Sequence, residues 1–204
     1  RPEPEATSMS LFLFNLEQHA RLIEQLHTLA PVVQEAIDAL TAVMAGGGKV
    51  LLCGNGGSAA DSQHIAAEFV GRFIDERRPL PALALSTDTS ALTCIGNDYS
   101  FDEVFSRQVR ALGTAKDALI AISTSGNSRN VLAAVDAARE VGMLTLGLSG
   151  RDGGALRERA QLNIVVPHAV TARIQEAHIL IGHTLCGGVE QQLGLVRRTD
   201  GGAA

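Results

Sequence analysis

The apolar positions of the first 45 residues fall at helical spacing. Leu11, Leu13, Phe14, Leu16, Leu22, Ile23 and Leu26 predict one helix over residues 10–27. Val33, Ala36, Ile37, Leu40 and Val43 predict a second over residues 30–44, stopped by three consecutive glycines at 46–48. These helices carry more apolar surface than an isolated pair can hide, so they are expected to pack on the main domain or on another subunit. Beyond Gly48 the pattern changes to short apolar runs without polar alternation, at residues 49–54, 81–86, 118–123, 144–149 and 162–167. Such runs fit strands buried on both faces of a parallel sheet. Helix-like segments lie between and after them, at about 59–73, 102–112, 128–141 and 172–193. The alternation predicts an α/β three-layer sandwich around a five-stranded parallel sheet. It reads as one domain over residues 10–195, between a loose N-terminus (1–9) and a loose tail (196–204).

Composition narrows the class. The chain has 204 residues, enough for one domain with a sizeable core, and 46% are hydrophobic, which excludes a disordered chain. The net charge is −5 and the 17 Lys and Arg are scattered, which argues against a nucleic-acid groove. It leaves room for an anionic ligand held by backbone N–H groups and hydroxyls. Cys53, Cys94 and Cys186 all sit in apolar stretches with no C-x-x-C, so buried, reduced thiols in a cytoplasmic protein are expected. No unbroken apolar run reaches the length of a membrane span and no leader pattern opens the chain, so no membrane partner is expected.

Three strand ends are small and polar. They read Gly54-Asn55-Gly56-Gly57-Ser58, Ser86-Thr87-Asp88-Thr89-Ser90 and Ser123-Thr124-Ser125-Gly126-Asn127-Ser128. In an open parallel sheet, ligands bind beyond the carboxyl ends of the strands. The first and third loops run into helices, whose free N–H groups point at a bound anion. The competing reading is plain turn and N-cap chemistry. Neither loop has the Lys-Ser/Thr of a P-loop or a dinucleotide fingerprint, so no nucleotide cofactor is expected and a small phosphate ester is left.

His64 and Glu68 follow the first loop at i, i+4 and share a helix face. That pair can bind a metal, form an acid/base couple, or be a surface ion pair. The last helix carries Gln175, Glu176, His178 and His183 among apolar residues. His178 reads as a core-edge or surface histidine, and His183 as a buried one oriented by a partner.

Taken in order, several stretches resemble the phosphoheptose isomerases of the sugar isomerase (SIS) superfamily. They are residues 47–61, His64-x-x-x-Glu68, Ile95-Gly-Asn-Asp98, Phe105-Ser-Arg107, residues 122–128, Arg151-Asp-Gly-Gly154, and Arg173-Ile-Gln-Glu-x-His178 with His183. The likeness covers residues 10–193. It implies isomerisation of sedoheptulose 7-phosphate to glycero-manno-heptose 7-phosphate through an enediolate, toward heptose in lipopolysaccharide or other surface glycans. It implies a homotetramer with active sites between subunits, giving the N-terminal helices their partner. It implies a zinc ion per subunit on His64, Glu68, Gln175 and His183. Substrate contacts would fall on Asn55, Gly56, Gly57, Ser58, Glu68, Arg72, Asn97, Asp98, Ser123, Thr124, Ser125, Ser128 and Gln175. Glu68 would be the general base, and His183 the acid or the manager of the oxygen protons.

Two tensions accompany that reading. A zinc ligand is a weakened base, so the two roles of Glu68 compete. Gln175 and His183 are eight residues apart, about 12 Å of helix rise, so one ion reaches both only through an irregular helix, a long reach or a second subunit. Ala172 also departs from the acidic residue that some members carry before Arg-Ile-Gln-Glu. A non-enzymatic branch of the fold binds the replication initiator protein; as an alternative it is disfavoured, because that branch lacks the counterparts of Glu68 and His183, and this chain has both.

Overall fold

The computed structural model describes residues 10–196. The expected loose ends at 1–9 and 196–204 lie outside them, Val196 apart. Five strands form one parallel sheet in the order β2-β1-β3-β4-β5: β1 (Val50–Gly54), β2 (Ala82–Ala84), β3 (Ala118–Ser123), β4 (Leu144–Gly150) and β5 (Leu162–Val166). The chain lays down β1, steps outward to β2, then crosses back to place β3 on the other side of β1. The order therefore reverses between β1 and β3, and the loops leaving those two strands flank the crevice where ligands bind in such sheets.

Eight α-helices complete the described chain: α1 (Leu11–Leu26), α2 (Ala30–Ala45), α3 (Gly57–Val70), α4 (Thr89–Asp98), α5 (Ser106–Leu112), α6 (Arg129–Val141), α7 (Leu156–Arg159) and α8 (Thr171–Gln192). Successive strand residues face opposite cores, as a period of two requires. Val50, Leu52, Ile120, Ile122, Leu146 and Leu148 pack with α2, α3 and α8. Leu51, Cys53, Leu119 and Ala121 pack with α4, α5 and α6. This is the three-layer sandwich that the apolar runs predict.

Four local expectations change. The run at 81–86 gives only three strand residues, because β2 is an edge strand and pairs on one side. The polar loop at 86–90 is short. Asp88 caps α4, its Oδ1 accepting from the Ala91 N–H at 2.9 Å. The helix expected at 102–112 splits into a 3₁₀ turn (Phe101–Glu103) and α5. Cys94 is exposed on α4, whereas Cys53 and Cys186 are buried as expected.

One 3₁₀ turn (His27–Leu29) joins α1 to α2, and the stretch Leu11–Ala45 is by length and composition apolar enough to cross a membrane. No single run announced this, because charged residues such as Glu17, Arg21 and Glu24 punctuate it. On α1 only Leu22 is buried, while Leu11 and Phe12 are 74% and 72% exposed. Arg173 of α8 ties α1 down by donating to the Asn15 carbonyl, and Glu176 accepts from both Arg173 and His19.

Candidate active site

The loop between β1 and α3 and the loop between β3 and α6 meet across the crevice. Asn55 Nδ2 donates to Asn130 Oδ1, and Asn130 Nδ2 donates back to Asn55 Oδ1, both at 2.8 Å. In the second loop the Ser123 and Ser128 hydroxyls lie 3.0 Å apart, with Thr124 and Ser125 half-buried between them. Gly126 turns this loop at φ +68°, and a Cβ there would overlap the Gly153 carbonyl. The Arg151-Asp-Gly-Gly154 segment thus braces the loop from behind. Asn127 adds to the brace, its Oδ1 accepting from the Ala155 N–H at 3.0 Å. Ser58, buried at the start of α3, gives its carbonyl to the Ser62 hydroxyl. The result is a pair of serine-, glycine- and amide-lined loops, each opening onto a helix start, with donors suited to an anionic group.

Helices α3 and α8 run side by side in the same direction. Gly57 lies against the Gln175 amide, Gly182 against Ile65, and Gly187 against Phe73. A Cβ on Gly182 would come within 2.5 Å of Ile65 Cδ1, so the glycine lets the two helices approach closely. Midway along this contact His64, Glu68 and His183 converge, their ligand atoms within 4.8 Å of one another. His64 Nε2 lies 2.8 Å from His183 Nε2 and 3.3 Å from Glu68 Oε1. Phe73 flanks His183, the ring centroids 5.2 Å apart. Two imidazole nitrogens and one carboxylate oxygen form a donor set that suits zinc with a coordination position left open.

Gln175 stands apart from that trio. Its amide rests on Gly57, two helical turns nearer the start of both helices, so a single ion touching Gln175 and His183 still demands the long reach that the spacing implies. Asn97 and Asp98 sit at the end of α4. Asn97 Nδ2 donates to Asp98 Oδ1 at 2.8 Å, and the Cys94 thiol donates to Asp98 Oδ2 at 3.5 Å. Arg72 is exposed one turn past Glu68, donating to the Ile74 carbonyl at 2.6 Å.

Two histidines exchange the surroundings expected of them. His178 is fully buried, with Nε2 3.0 Å from the Ser149 carbonyl. His183 is only half-buried. Periodicity ranks both as members of an apolar helix but does not fix which one looks at β4. Burial pulls the His178 pKa down to about 4, the hydrogen bond to the Ser149 carbonyl opposing the shift.

Sequence reasoning passes over Asp61, one turn before His64. Burial raises its carboxyl pKa to about 6, the nearby His64 opposing the shift, and one of its oxygens is buried without a partner. It lies inside the loop-and-helix motif of residues 47–61, but nothing in its spacing distinguishes it from a surface acid.

A groove of about 750 Å³ among the described residues is lined by His183 together with Gln34, Phe73, Leu180 and Gln191 among others. It is open, and His183 links it to the trio. We take the trio and the loops as the chemical centre, because the groove itself offers few groups able to move protons.

A sheet that reverses at β1/β3, with these loops and a histidine–carboxylate cluster beside them, defines a sugar-isomerase fold, and the chain belongs to the SIS domain family, whose model matches residues 16–150. Within that family it is similar to phosphoheptose isomerases. That of Rhodospirillum rubrum is 56% identical over 164 residues, covering 80% of this chain and 87% of the relative. The solved phosphoheptose isomerase from Neisseria gonorrhoeae superposes with a TM-score of 0.84 at 47% identity, covering 88% of this chain and 97% of that one. The one from Francisella tularensis gives 0.85 at 40% identity, covering 90% and 99%.

Proposed function

We propose that this chain is a phosphoheptose isomerase, converting sedoheptulose 7-phosphate into D-glycero-D-manno-heptose 7-phosphate for heptose and surface-glycan synthesis. The observation that carries the reading is the convergence of His64, Glu68 and His183 beside the loops, in a chain 56% identical to an enzyme of that name.

The reaction moves a carbonyl from C2 to C1. A proton leaves C1, an enediolate forms, and a proton returns at C2, while O1 loses a proton and O2 gains one. Glu68 is suited to carry the carbon-bound proton in both directions, since one carboxylate can reach adjacent carbons. His183 manages the protons on the two oxygens. Hydroxyls and N–H groups of residues 55–58 and 123–128 hold the phosphate. Asn97, Asp98, Arg72 and Gln175 are assigned to the sugar chain, and fixing both ends holds C1 against Glu68.

Zinc fits the donors present: His64, Glu68 and His183 would hold it, with Gln175 as a further candidate. When bound it supplies charge that stabilises oxygens of the enediolate. The assembly is read as a homotetramer with sites between subunits, supported by the uncovered apolar face of α1 (Leu11, Phe12, Leu13, Leu16). A second copy on that face also accounts for an apolar helical stretch without a membrane. Three unpaired cysteines accord with a reducing cytoplasm. The paired Glu68 and His183 leave initiator binding disfavoured.

The test is incubation with sedoheptulose 7-phosphate and detection of the aldose product. No turnover by the unaltered chain rejects the proposal. For the metal, the protein is purified without a histidine tag, analysed for zinc and assayed after chelation. Full activity without metal removes zinc from the mechanism.

A further inference from the structure

A buried ion pair stands behind the site. Arg77 and Glu190 have side chains only 1% and 2% exposed, and they join the loop after α3 to the end of α8 across 113 residues of sequence. Burying two charges is costly unless every donor and acceptor is matched. Here all three guanidinium nitrogens are engaged. Its Nε donates to Glu190 Oε1 at 2.7 Å, and Nη2 approaches the same oxygen at 2.6 Å. Nη2 also donates to the Glu68 carbonyl at 2.7 Å, and Nη1 to the carbonyls of Phe69, Gly71 and Arg78 at 2.7, 2.9 and 3.1 Å. Glu190 in turn accepts from the Phe73 N–H at 3.2 Å.

The partners of this pair are a selective set. The carbonyls at the end of α3 are orphans of helix geometry, and Arg77 takes two of them, one belonging to Glu68 itself. Phe73, held through its N–H by Glu190, is the residue whose ring packs on His183. One buried pair therefore touches the backbone of the carboxylate residue and the neighbour of the imidazole. The sharp turn at residues 71–78, which carries Arg72, closes around the same guanidinium. A planar fork with five donors is needed to serve these acceptors from one point, which a lysine cannot do.

We propose that Arg77 and Glu190 are positioning residues for the isomerisation, setting the distance and direction of Glu68 relative to His183 without touching substrate. The inference rests on the isomerase reading, in which Glu68 and His183 move the protons.

The experiment uses the full chain, with Arg77→Lys and Glu190→Gln. Each is assayed with sedoheptulose 7-phosphate well below its melting temperature, with circular dichroism confirming the fold. The unaltered chain is assayed first, and its failure to turn over refutes the isomerase reading rather than the positioning role. The expected result is a fall in kcat of roughly ten- to a hundredfold with KM within about twofold, since a small misplacement of a proton-transfer group slows chemistry without loosening the grip on phosphate. The pH–rate profile should also shift, because the environment of Glu68 and His183 changes. Folded variants with the parent's kcat and pH profile overturn the proposal. Loss of fold in both variants, with no folded species of lowered kcat, also overturns it, in favour of a purely architectural pair. Glu190→Gln keeps the shape of the side chain and an oxygen for both donors, so it is the variant most able to fold.

Discussion

Asn55 and Asn130 exchange two hydrogen bonds, each amide donating to the other's oxygen at 2.8 Å. Asn130 is 3% exposed, at the first turn of α6, and its Oδ1 also accepts from the Val131 N–H. The Val131 N–H requires an oxygen at that position, so the pair has one orientation and locks the β1 loop to the β3 loop where the sheet order reverses. Replacing Asn130 by Asp keeps the volume but removes the donor, and sets a carboxylate oxygen against Asn55 Oδ1. Asn130→Asp should therefore loosen the phosphate grip, raising KM for sedoheptulose 7-phosphate roughly tenfold, with a stability loss of about 1–3 kcal/mol for the unmatched buried group. Steady-state kinetics and denaturant melts measure the two effects. An unchanged KM would mean that the loops hold their places independently.

Glu68→Gln keeps the shape of the side chain and removes the proposed proton carrier. General-base catalysis contributes about 10²–10⁴ in rate, so kcat should fall by that order while the protein stays folded. His183→Ala should lower kcat as well. It should also lower zinc affinity, which isothermal titration with zinc alone reads independently of turnover. The two variants differ at the metal: Glu68→Gln retains both imidazoles of the cluster, so its affinity should fall less.

Gly57→Ala addresses the Gln175 amide. The added methyl would overlap Gln175 Nε2, the mobile end of a flexible side chain, so the amide moves aside at small cost in stability. The melting temperature should barely change, while kcat/KM should fall if Gln175 meets the sugar. Gly126→Ala is the contrasting case. Its methyl would meet the Gly153 carbonyl at a backbone φ of +68°, where neither side can yield. A loss of about 2–4 kcal/mol is expected in denaturant unfolding.

The pH dependence of stability has opposed contributions. The His178 pKa is depressed from 6.5 to about 4, so the unfolded chain binds the extra proton first. Its contribution is present above pH 6.5 and is lost as pH falls toward 4. The raised Asp61 pKa works the other way: its contribution is present near pH 4 and is lost as pH rises through about 6. The two offset each other across the same window. Asp61→Asn should remove one side, leaving stability that climbs more steeply from pH 4 to 6.5. Thermal melts of both proteins across that range supply the check, and parallel curves would contradict it.

Much of the fold was legible because buried parallel strands leave apolar runs such as Val50-Leu51-Leu52 and Ala118-Leu119-Ile120, and because Gly-rich loops follow them. α4 was hidden: its start, Asp88-Thr89-Ser90, has the composition of a ligand loop as well as that of a cap. The proposed proton-handling pair, Glu68 and His183, comes from the ordered resemblance and not from spacing, since His64 and Glu68 alone also fit an ion pair. Arg77, Glu190 and Asn130 were not legible. Each acts through a partner 75 or more residues away, and sequence spacing carries no trace of such pairings. The inversion of His178 and His183 has the same origin, because it depends on which strand the helix faces.

Gly182 acts on the cluster from a distance. It faces Ile65, and the absent side chain sets how near α8 lies to α3. His64 precedes Ile65 and His183 follows Gly182, so the 2.8 Å between the two imidazoles is gauged by a purely apolar contact next door. On the proposed function, the reactivity of the cluster is thus adjustable from the core. A methyl group that never meets sugar, phosphate or metal could widen the gap and retune the chemistry as effectively as a change to either histidine.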